Sequence, residues 1–312
     1  MNEQYVTIDL EDLLIGEELP GTVYLYLDFR FITFRGQGDV VDTNAYDRLQ
    51  VKKVKQLFIM EKDRPSFAAW TGARKVEVAA NGPITESDRE FHAVRDDAHR
   101  KMLDIFHSEQ PNKIVTQALS ASKRLVGEVM KVPYASKPLN QLQTYSRGSV
   151  DHSVNVSILS VYLAMQMGYA HALILQHVGA GALLHDIGKS RVPVDESDTP
   201  EQEAEKMEQH PILAQTLLGL EGKVPNEVVM IVAQHHECHD GSGYPKKLKG
   251  NNIYDLARIV AIANVFDELV ADGKGLLVDR QRNAISQLDQ VLCHKFDPQK
   301  LDKALKILKL GV

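Results

Sequence analysis

The hydrophobic pattern of the chain changes once, near residue 80. Residues 22–40 alternate aromatic and β-branched side chains with polar ones, and a polar break at residues 28–30 divides the run. Period-two alternation is typical of strands with one covered face, so two antiparallel strands and a turn are predicted. A further short strand is predicted at residues 55–60. Residues 1–80 are therefore expected to form a small α+β domain, either an accessory domain or one with a sensory ligand pocket.

Beyond this region apolar residues recur at three- and four-residue spacing, which is the period of amphipathic helices. Residues 81–145 are predicted to form a helical connector, and a packed or dimerising helix pair remains an alternative for them. Further helices are predicted at residues 150–168, 171–188, 203–218, 226–237, 253–269, 280–293 and 298–310. Strands and helices do not alternate, which argues against a parallel α/β sheet. The predicted fold class is mainly α, with an all-helical domain over residues 146–312.

Composition narrows the class of protein. The 36 Lys plus Arg and 42 Asp plus Glu leave a net charge of −6, which argues against a broad surface for DNA or RNA. Two cysteines, Cys238 and Cys293, cannot build a disulfide framework and suggest a reducing compartment. No signal peptide and no apolar run of about 20 residues is evident. We expect a cytoplasmic protein with no membrane partner.

Histidine marks the region where chemistry is expected, because eight of the 12 histidines lie between His152 and His239. The pair His185-Asp186 follows a strongly apolar segment. A buried carboxylate there is costly without a partner, and a metal ion supplies one. A lone helical histidine is usually a core or surface residue, so each signal alone is weak. The ordered set of imidazole and carboxylate groups suits divalent Fe, Mn, Ni, Co or Zn.

The segment over about residues 147–310 resembles the HD-GYP subgroup of the HD superfamily of metal-dependent phosphohydrolases. The matching stretches are HSVNV from residue 152, LLHDIGK from 183, HP at 210, HHECHDGSGYP from 235, LARIVAIANVFDEL from 256 and FDP from 296. The resemblance implies an all-helical HD-type fold and phosphodiesterase action on the bacterial signalling molecule cyclic di-GMP.

Carried over by position, the resemblance implies a dinuclear metal centre. One metal ion would be held by His152, His185, Asp186 and Asp267, and the other by His210, His235 and His236, with Asp186 bridging both. A bridging hydroxide would open the 3′-5′ phosphodiester to pGpG, or onward to GMP. Iron is the first expectation for the metal and manganese the second. Some members bind a third ion through a Glu at the position of Gly148, so two ions are expected here.

Other residues of the motif have less definite predicted roles. Lys189 is expected to reach a substrate phosphate or the hydroxide, the alternative being a solvent-exposed lysine at a helix end. Asp240 is predicted to orient a ligand histidine. Tyr244 is expected to bind phosphate, to stack on guanine, or only to fill the loop. Cys238 and His239 are interpreted as bystanders.

The resemblance weakens after Asp267. Similar proteins carry a basic stretch there, whereas this chain reads VADGKGLLV at residues 270–278, and the expected Arg and Lys positions hold Leu276 and Asp279. Losing one buried charged contact to phosphate costs on the order of 2 to 5 kcal/mol. The nearby cations that could compensate are Lys274, Arg280 and Arg282.

The complete set of predicted metal ligands and the altered basic stretch lead to two main hypotheses. The first is a working cyclic di-GMP phosphodiesterase. The second is a metal-loaded signalling module that turns over weakly or not at all and binds a nucleotide or a partner protein. Hydrolysis of another phosphoester is a third reading, because the metal ligands themselves do not select guanine. A homodimer formed through the connector is left open.

Overall fold

The computed structural model describes residues 5–27, 30–52, 54–79, 86–106, 111–131, 149–193, 195, 198–219, 224–273 and 277–311. The chain divides into two compact units, Met1–Thr85 with Thr144–Asp151, and Glu86–Gln143 with His152–Val312. They are called the sheet unit and the helical unit below. The predicted fold class is confirmed. The predicted boundaries at residues 80 and 145 stay predictions. None of the helices in the described ranges is both long enough and apolar enough to cross a bilayer.

The sheet unit contains a four-stranded antiparallel sheet in the order β1-β4-β2-β3. Its strands are β1 (Tyr5–Asp9), β2 (Val23–Leu27), β3 (Arg30–Arg35) and β4 (Gln56–Met60), and its helices are α1 (Thr43–Val51) and α2 (Arg64–Ala79). Strands β2, β3 and β4 confirm the predicted strands. Strand β1, with the sequence YVTID, was not predicted.

The helical unit consists of ten described α-helices. They are α3 (Glu86–Phe106), α4 (Pro111–Val129), α5 (Ser149–Gln166), α6 (Ala172–Leu184), α7 (Pro200–Met207), α8 (His210–Gly219), α9 (Asn226–Gln234), α10 (Asp255–Asp272), α11 (Leu277–Gln290) and α12 (Pro298–Lys309). Helix α6 is almost wholly buried from Val178 onward and packs against α4 and α9. Helices α8 and α10 also contact α9.

The helix predicted at residues 203–218 is in fact two helices, α7 and α8. Helix α7 begins at a capping box formed by Thr199 and Gln202 and ends at Met207. Helix α8 begins at His210, with Pro211 as its second residue. Proline has no backbone N–H to continue a helix but is well suited to the first turn of a new one. The break therefore places His210 at a helix start.

The helix predicted at residues 171–188 also ends early, at Leu184. A 3₁₀ segment, Ile187–Arg191, follows His185 and Asp186. The sequence predicted that the helix would end at Gly188, but Gly188 lies inside this 3₁₀ segment. A Cβ atom at Gly188 would lie 2.0 Å from the carbonyl oxygen of His210. Glycine is needed here because the backbones of the 3₁₀ segment and α8 are in direct contact.

Candidate metal centre

The predicted ligand residues converge from four helix ends. His152 lies in the first turn of α5, His185 and Asp186 follow α6, His210 begins α8, and His235 follows α9. Two groups of donor atoms form, each within 4.8 Å of one another. Group A comprises Asp186, His210, His235 and His236, and group B comprises His152, His185 and Asp186.

Asp186 belongs to both groups and divides its two oxygens between them. Its Oδ1 lies 3.3 Å from Nε2 of His210 and 3.9 Å from Nε2 of His235. Its Oδ2 lies 3.2 Å from Nε2 of His185 and 3.9 Å from Nε2 of His152. The side chain of Asp186 is 2% exposed, so its carboxylate has little access to bulk water. A carboxylate in this arrangement can bridge two cations.

Three of the histidines are oriented by the backbone three residues earlier. Nδ1 of His185 contacts the carbonyl of Ala182 at 2.7 Å, and His210 and His235 make equivalent contacts at 2.7 and 2.8 Å, to the carbonyls of Met207 and Val232. A carbonyl can only accept, so each Nδ1 carries the proton and donates it. In neutral imidazole this leaves a lone pair on each Nε2, the tautomer that binds metals.

Acceptor atoms face one another where a cation is expected. The Nε2 atoms of His210 and His235 are 3.2 Å apart, and with both Nδ1 atoms protonated neither Nε2 of the neutral rings has a proton to donate to the other. Nε2 of His185 and Oδ1 of Asp186 are buried without a hydrogen-bond partner among the described residues. Buried acceptor atoms without a partner destabilise the folded state unless a cation lies among them. The donor set therefore fits divalent cations, whose preferred ligands include imidazole and carboxylate.

The pKa shifts in the centre favour neutral His235 and His236 and an ionised Asp186. Burial lowers the pKa of His235 well below the usual value for histidine, and the charge of His236 adds to the effect. Burial likewise lowers the pKa of His236 well below its usual value. Burial raises the pKa of Asp186, but the charges of His185 and Lys189 outweigh it, and that pKa falls well below its usual range. Neutral imidazoles and an ionised carboxylate are the ligand forms that metals require.

The His152 side of the centre is built differently. Nδ1 of His152 donates to Oδ2 of Asp267 at 2.7 Å, and Nε2 lies 2.9 Å from Oδ1 of Asn264. Burial lowers the pKa of His152, but the hydrogen bond and charge of Asp267, with the charge of Asp186, raise it to about 9. His152 can bind a cation through Nε2 only after releasing the proton shared with Asn264.

Asp267, a predicted ligand, contributes to neither group as the described residues form them. Its Oδ2 accepts from His152, and its Oδ1 accepts from Nδ2 of Asn155 at 3.1 Å. In this arrangement it orients His152, as carboxylates often do for metal-binding histidines. Its assignment as a direct ligand stays a prediction.

Lys189 lies at the edge of the centre. Its Nζ donates to Oδ2 of Asp186 at 2.7 Å, while 38% of its side chain is exposed. The ammonium group thus contacts both the shared carboxylate and solvent. This position is compatible with the predicted contact to a substrate phosphate.

The loop after His236 forms a wall beside group A. The ring of Tyr244 stacks on that of His236, with centroids 4.6 Å apart and an interplanar angle of 23°. The Tyr244 N–H donates to the His236 carbonyl at 3.2 Å. A Cβ atom at Gly243 would lie 2.3 Å from the Cys238 nitrogen and 2.4 Å from the His236 oxygen. Glycine lets the loop fold tightly enough to bring the tyrosine onto the histidine.

Glu237 anchors the same loop. Its two oxygens accept from the backbone N–H groups of Lys246 and Leu248, each at 2.7 Å. Asp240 contacts Ser242 and His294: Oδ1 accepts from the N–H and hydroxyl of Ser242, and Oδ2 lies 3.8 Å from Nε2 of His294. The orienting role predicted for Asp240 is filled, for the three histidines described above, by backbone carbonyls.

The residues of the predicted phosphate clamp are only partly described. Gly148, Lys274 and Leu276 lie outside the described residues. Arg280, one of the cations that could compensate, donates from Nη1 to the carbonyl of Val270 at 3.2 Å. Its side chain also packs against Gly273, where a Cβ atom would lie 2.9 Å from the Arg280 Cγ. Arg280 is therefore bound to the C-terminal end of α10.

Sequence reasoning missed three polar residues that support the centre, Asn155, Asn264 and Glu237. A signal was present for the first two, because Asn155 lies three residues after His152, and Asn264 lies three residues before Asp267. Residues three apart on a helix share a face. The buried position of Glu237 had no such signal.

Comparison with known proteins identifies the family. A family model described as HD domain matches residues 135–299, which is more than half of the chain. The chain belongs to the HD domain family. Its predicted assignment to the HD-GYP subgroup is confirmed by the relatives named below.

Two curated relatives and one solved structure define this similarity. Cyclic di-GMP phosphodiesterase PA4108 of Pseudomonas aeruginosa is 27% identical over 309 residues, 94% of this chain and 74% of that protein. The response regulator RpfG of Xanthomonas campestris, also named a cyclic di-GMP phosphodiesterase, is 28% identical over 208 residues, 64% of this chain and 55% of that protein. Bd1817, a HDG"Y"P protein from Bdellovibrio bacteriovorus, superposes with a TM-score of 0.61 at 23% identity, over 98% of this chain and 100% of that one, which establishes the fold alone.

Proposed function

We propose that this protein is a metal-dependent cyclic di-GMP phosphodiesterase. The observation that carries the proposal is the pair of donor groups that share Asp186. Two cations close together are the arrangement that enzymes use for in-line displacement at phosphorus. The names of the relatives support cyclic di-GMP as the substrate.

The proposed ligands follow the two groups. His210, His235 and His236 would hold one ion, His152 and His185 the other, with Asp186 shared and Asp267 predicted to complete the second set. Bound ions supply the activation of a water molecule and the neutralisation of phosphate charge. Iron is proposed as the native metal, with manganese second. The proposed product is linear pGpG, or GMP after a second hydrolysis.

The chain's own residues would bind and orient the dinucleotide. Lys189 combines a contact to Asp186 with exposure to solvent, so its ammonium group can meet a phosphate oxygen at the rim. Tyr244 presents a half-buried ring beside His236, where it can limit the position of a base or a phosphate. Burial raises the pKa of Tyr244, so its hydroxyl stays protonated and can donate.

A specific observation favours a second candidate, a metal-loaded signalling module with weak or absent turnover. The guanidinium group of Arg280 is bound to the Val270 carbonyl, and Arg282 is exposed on α11. A phosphate clamp built from Arg280 would have to release this backbone contact. The module would retain the metal ions and bind a nucleotide or a partner protein.

The test is anaerobic turnover of cyclic di-GMP by iron-loaded or manganese-loaded protein, with elemental analysis of the same samples. Asp186→Ala is the variant expected to lose both metal ions and activity, because its carboxylate belongs to both groups. Asp302→Ala is the matched control, since Asp302 is an exposed carboxylate paired with Lys306 on α12.

Linear product that is formed by the wild type and the control, and lost in Asp186→Ala, is the expected result. Two bound ions without product would overturn the phosphodiesterase and leave the signalling module. Full metal retention by Asp186→Ala would overturn the shared-ligand assignment.

A further inference from the structure

Arg95 is a charged side chain in the interior of the helical unit. It lies on α3 and is only 2% exposed. Burying a guanidinium group is costly unless its N–H groups are bound by polar partners. The identity of those partners therefore indicates what the residue does.

One partner connects Arg95 to the metal centre. Nη2 of Arg95 donates to Oδ1 of Asn155 at 3.1 Å, and Nδ2 of Asn155 donates to Oδ1 of Asp267 at 3.1 Å. Oδ2 of Asp267 then accepts from Nδ1 of His152 at 2.7 Å. The four side chains form a continuous hydrogen-bonded chain from α3 to group B.

The chain has a defined direction. A guanidinium group can only donate, so it fixes the amide oxygen of Asn155 towards Arg95 and the amide nitrogen towards Asp267. That nitrogen occupies one carboxylate oxygen and leaves the other for His152. Hydrogen bonds in series polarise one another, so the positive charge of Arg95 strengthens each bond along the chain.

We propose that Arg95 is a positioning residue for group B, acting through Asn155 and Asp267 on the orientation of the His152 ring. The proposal rests on the metal centre of the proposed function but does not depend on its substrate. It gives α3, within the segment predicted as a connector, a direct influence on metal binding.

The experiment is a titration of the full-length metal-free protein with Co²⁺, followed by visible absorption, with elemental analysis after dialysis. Arg95→Met removes the charge and replaces the arginine with a long, unbranched apolar side chain. Arg95→Lys keeps the charge. Asn155→Ala breaks the chain at its second member without changing Arg95. The control is Arg124→Met, which removes an arginine from an ion pair with Asp97 between α4 and α3, and neither residue belongs to either donor group.

We expect Arg95→Met and Asn155→Ala each to weaken the group B ion about 10- to 100-fold, the usual effect of removing a residue that orients a metal-binding histidine. Group A should keep its affinity and its Co²⁺ spectrum. Arg95→Lys should recover part of the loss, and Arg124→Met should bind both ions as the wild type does. The double variant Arg95→Met with Asn155→Ala should bind the group B ion little more weakly than either single variant, because both changes break the same series of hydrogen bonds.

Equal loss at both groups, with a lowered melting temperature, would assign Arg95 a purely structural role. Unchanged affinity at group B in either single variant, or fully additive losses in the double variant, would also overturn the proposal. A wild-type protein that binds two Co²⁺ ions but does not hydrolyse cyclic di-GMP refutes the proposed function and leaves this inference standing. A wild type that binds no Co²⁺ refutes both.

Discussion

The two halves of the candidate metal centre hold their histidines by different means. In group A, His210 and His235 donate Nδ1–H to backbone carbonyls of residues three positions earlier. In group B, His185 is held in the same way, whereas His152 is held by the side chains of Asp267 and Asn264. The ring orientations of His210, His235 and His185 therefore follow from local backbone geometry, and that of His152 follows from side chains distant in the sequence.

This difference indicates which half of the centre changes its metal affinity most readily when a residue is substituted. A backbone carbonyl moves only when its segment moves, so His210 and His235 are displaced by changes to the packing of α7, α8 or α9. A series of hydrogen-bonded side chains changes when any one of its members rotates or is replaced. Group B should thus be the half whose affinity varies with single substitutions, at little cost to the fold.

The largest effect is expected where the backbone support of group A is disturbed. Gly188→Ala forces a Cβ atom against the backbone of His210. We expect a loss of stability of about 1 to 3 kcal/mol, typical of overpacking, together with a weaker group A ion. Denaturant unfolding and metal titration measure the two.

Gly127→Ala is the matched control, because a Cβ atom there meets no atom of the described residues within 4 Å. Alanine at this position in α4 should leave metal binding unchanged and stabilise the helix by up to about 1 kcal/mol. Normal binding of the group A ion by Gly188→Ala would show that α8 accommodates the methyl group, and that group A is less dependent on backbone contact than proposed.

An intermediate effect is expected from Asp267→Asn, which tests the side-chain support of group B. The amide keeps the shape of the carboxylate but removes its charge, and because its nitrogen can only donate, its single oxygen can no longer accept from both His152 and Asn155 as the two carboxylate oxygens do. We expect group B to bind its ion about 10- to 100-fold more weakly, with group A nearly unchanged, as measured by metal titration. Asp302→Asn is the control at an exposed carboxylate. Equal loss from both groups would contradict the division into two independently supported halves.

The smallest effect is expected from Tyr244→Phe. The ring contact with His236 needs only the aromatic face, so metal stoichiometry and affinity should stay at wild-type values. A single hydroxyl hydrogen bond contributes about 0.5–1.5 kcal/mol, so KM for cyclic di-GMP should rise by no more than about tenfold. Loss of the group A ion from this variant would show that the hydroxyl supports His236.

Much of the helical unit could be predicted because its signals are local. The three- and four-residue spacing identified the helices, and the motif letters identified the histidines that the structure brings together. The break between α7 and α8 was visible in Pro211 but was missed, because apolar periodicity resumes across it. Strand β1 was missed because its partner β4 lies about 50 residues away, and pairing over that distance leaves no periodic trace.

The support of the centre could not be predicted for the same reason. Asn155 and Asp267 are 112 positions apart, and Arg95 and Asn155 are 60 positions apart. Their contacts depend on how helices pack, which hydrophobic spacing does not specify. Asp240 was the reasonable choice from the motif, yet it binds Ser242 within its own loop, and Glu237, three residues earlier, has the buried anchoring role.

The Glu237 anchor bears on how a ligand would enter. The backbone amides of Lys246 and Leu248 are held by its carboxylate, although the side chain of Lys246 is exposed. Those two amides should exchange slowly with deuterated solvent, unlike freely solvated loop amides. The conformational entropy of this wall is lost during folding, so a ligand would meet a preformed surface and lose little further entropy in ordering it.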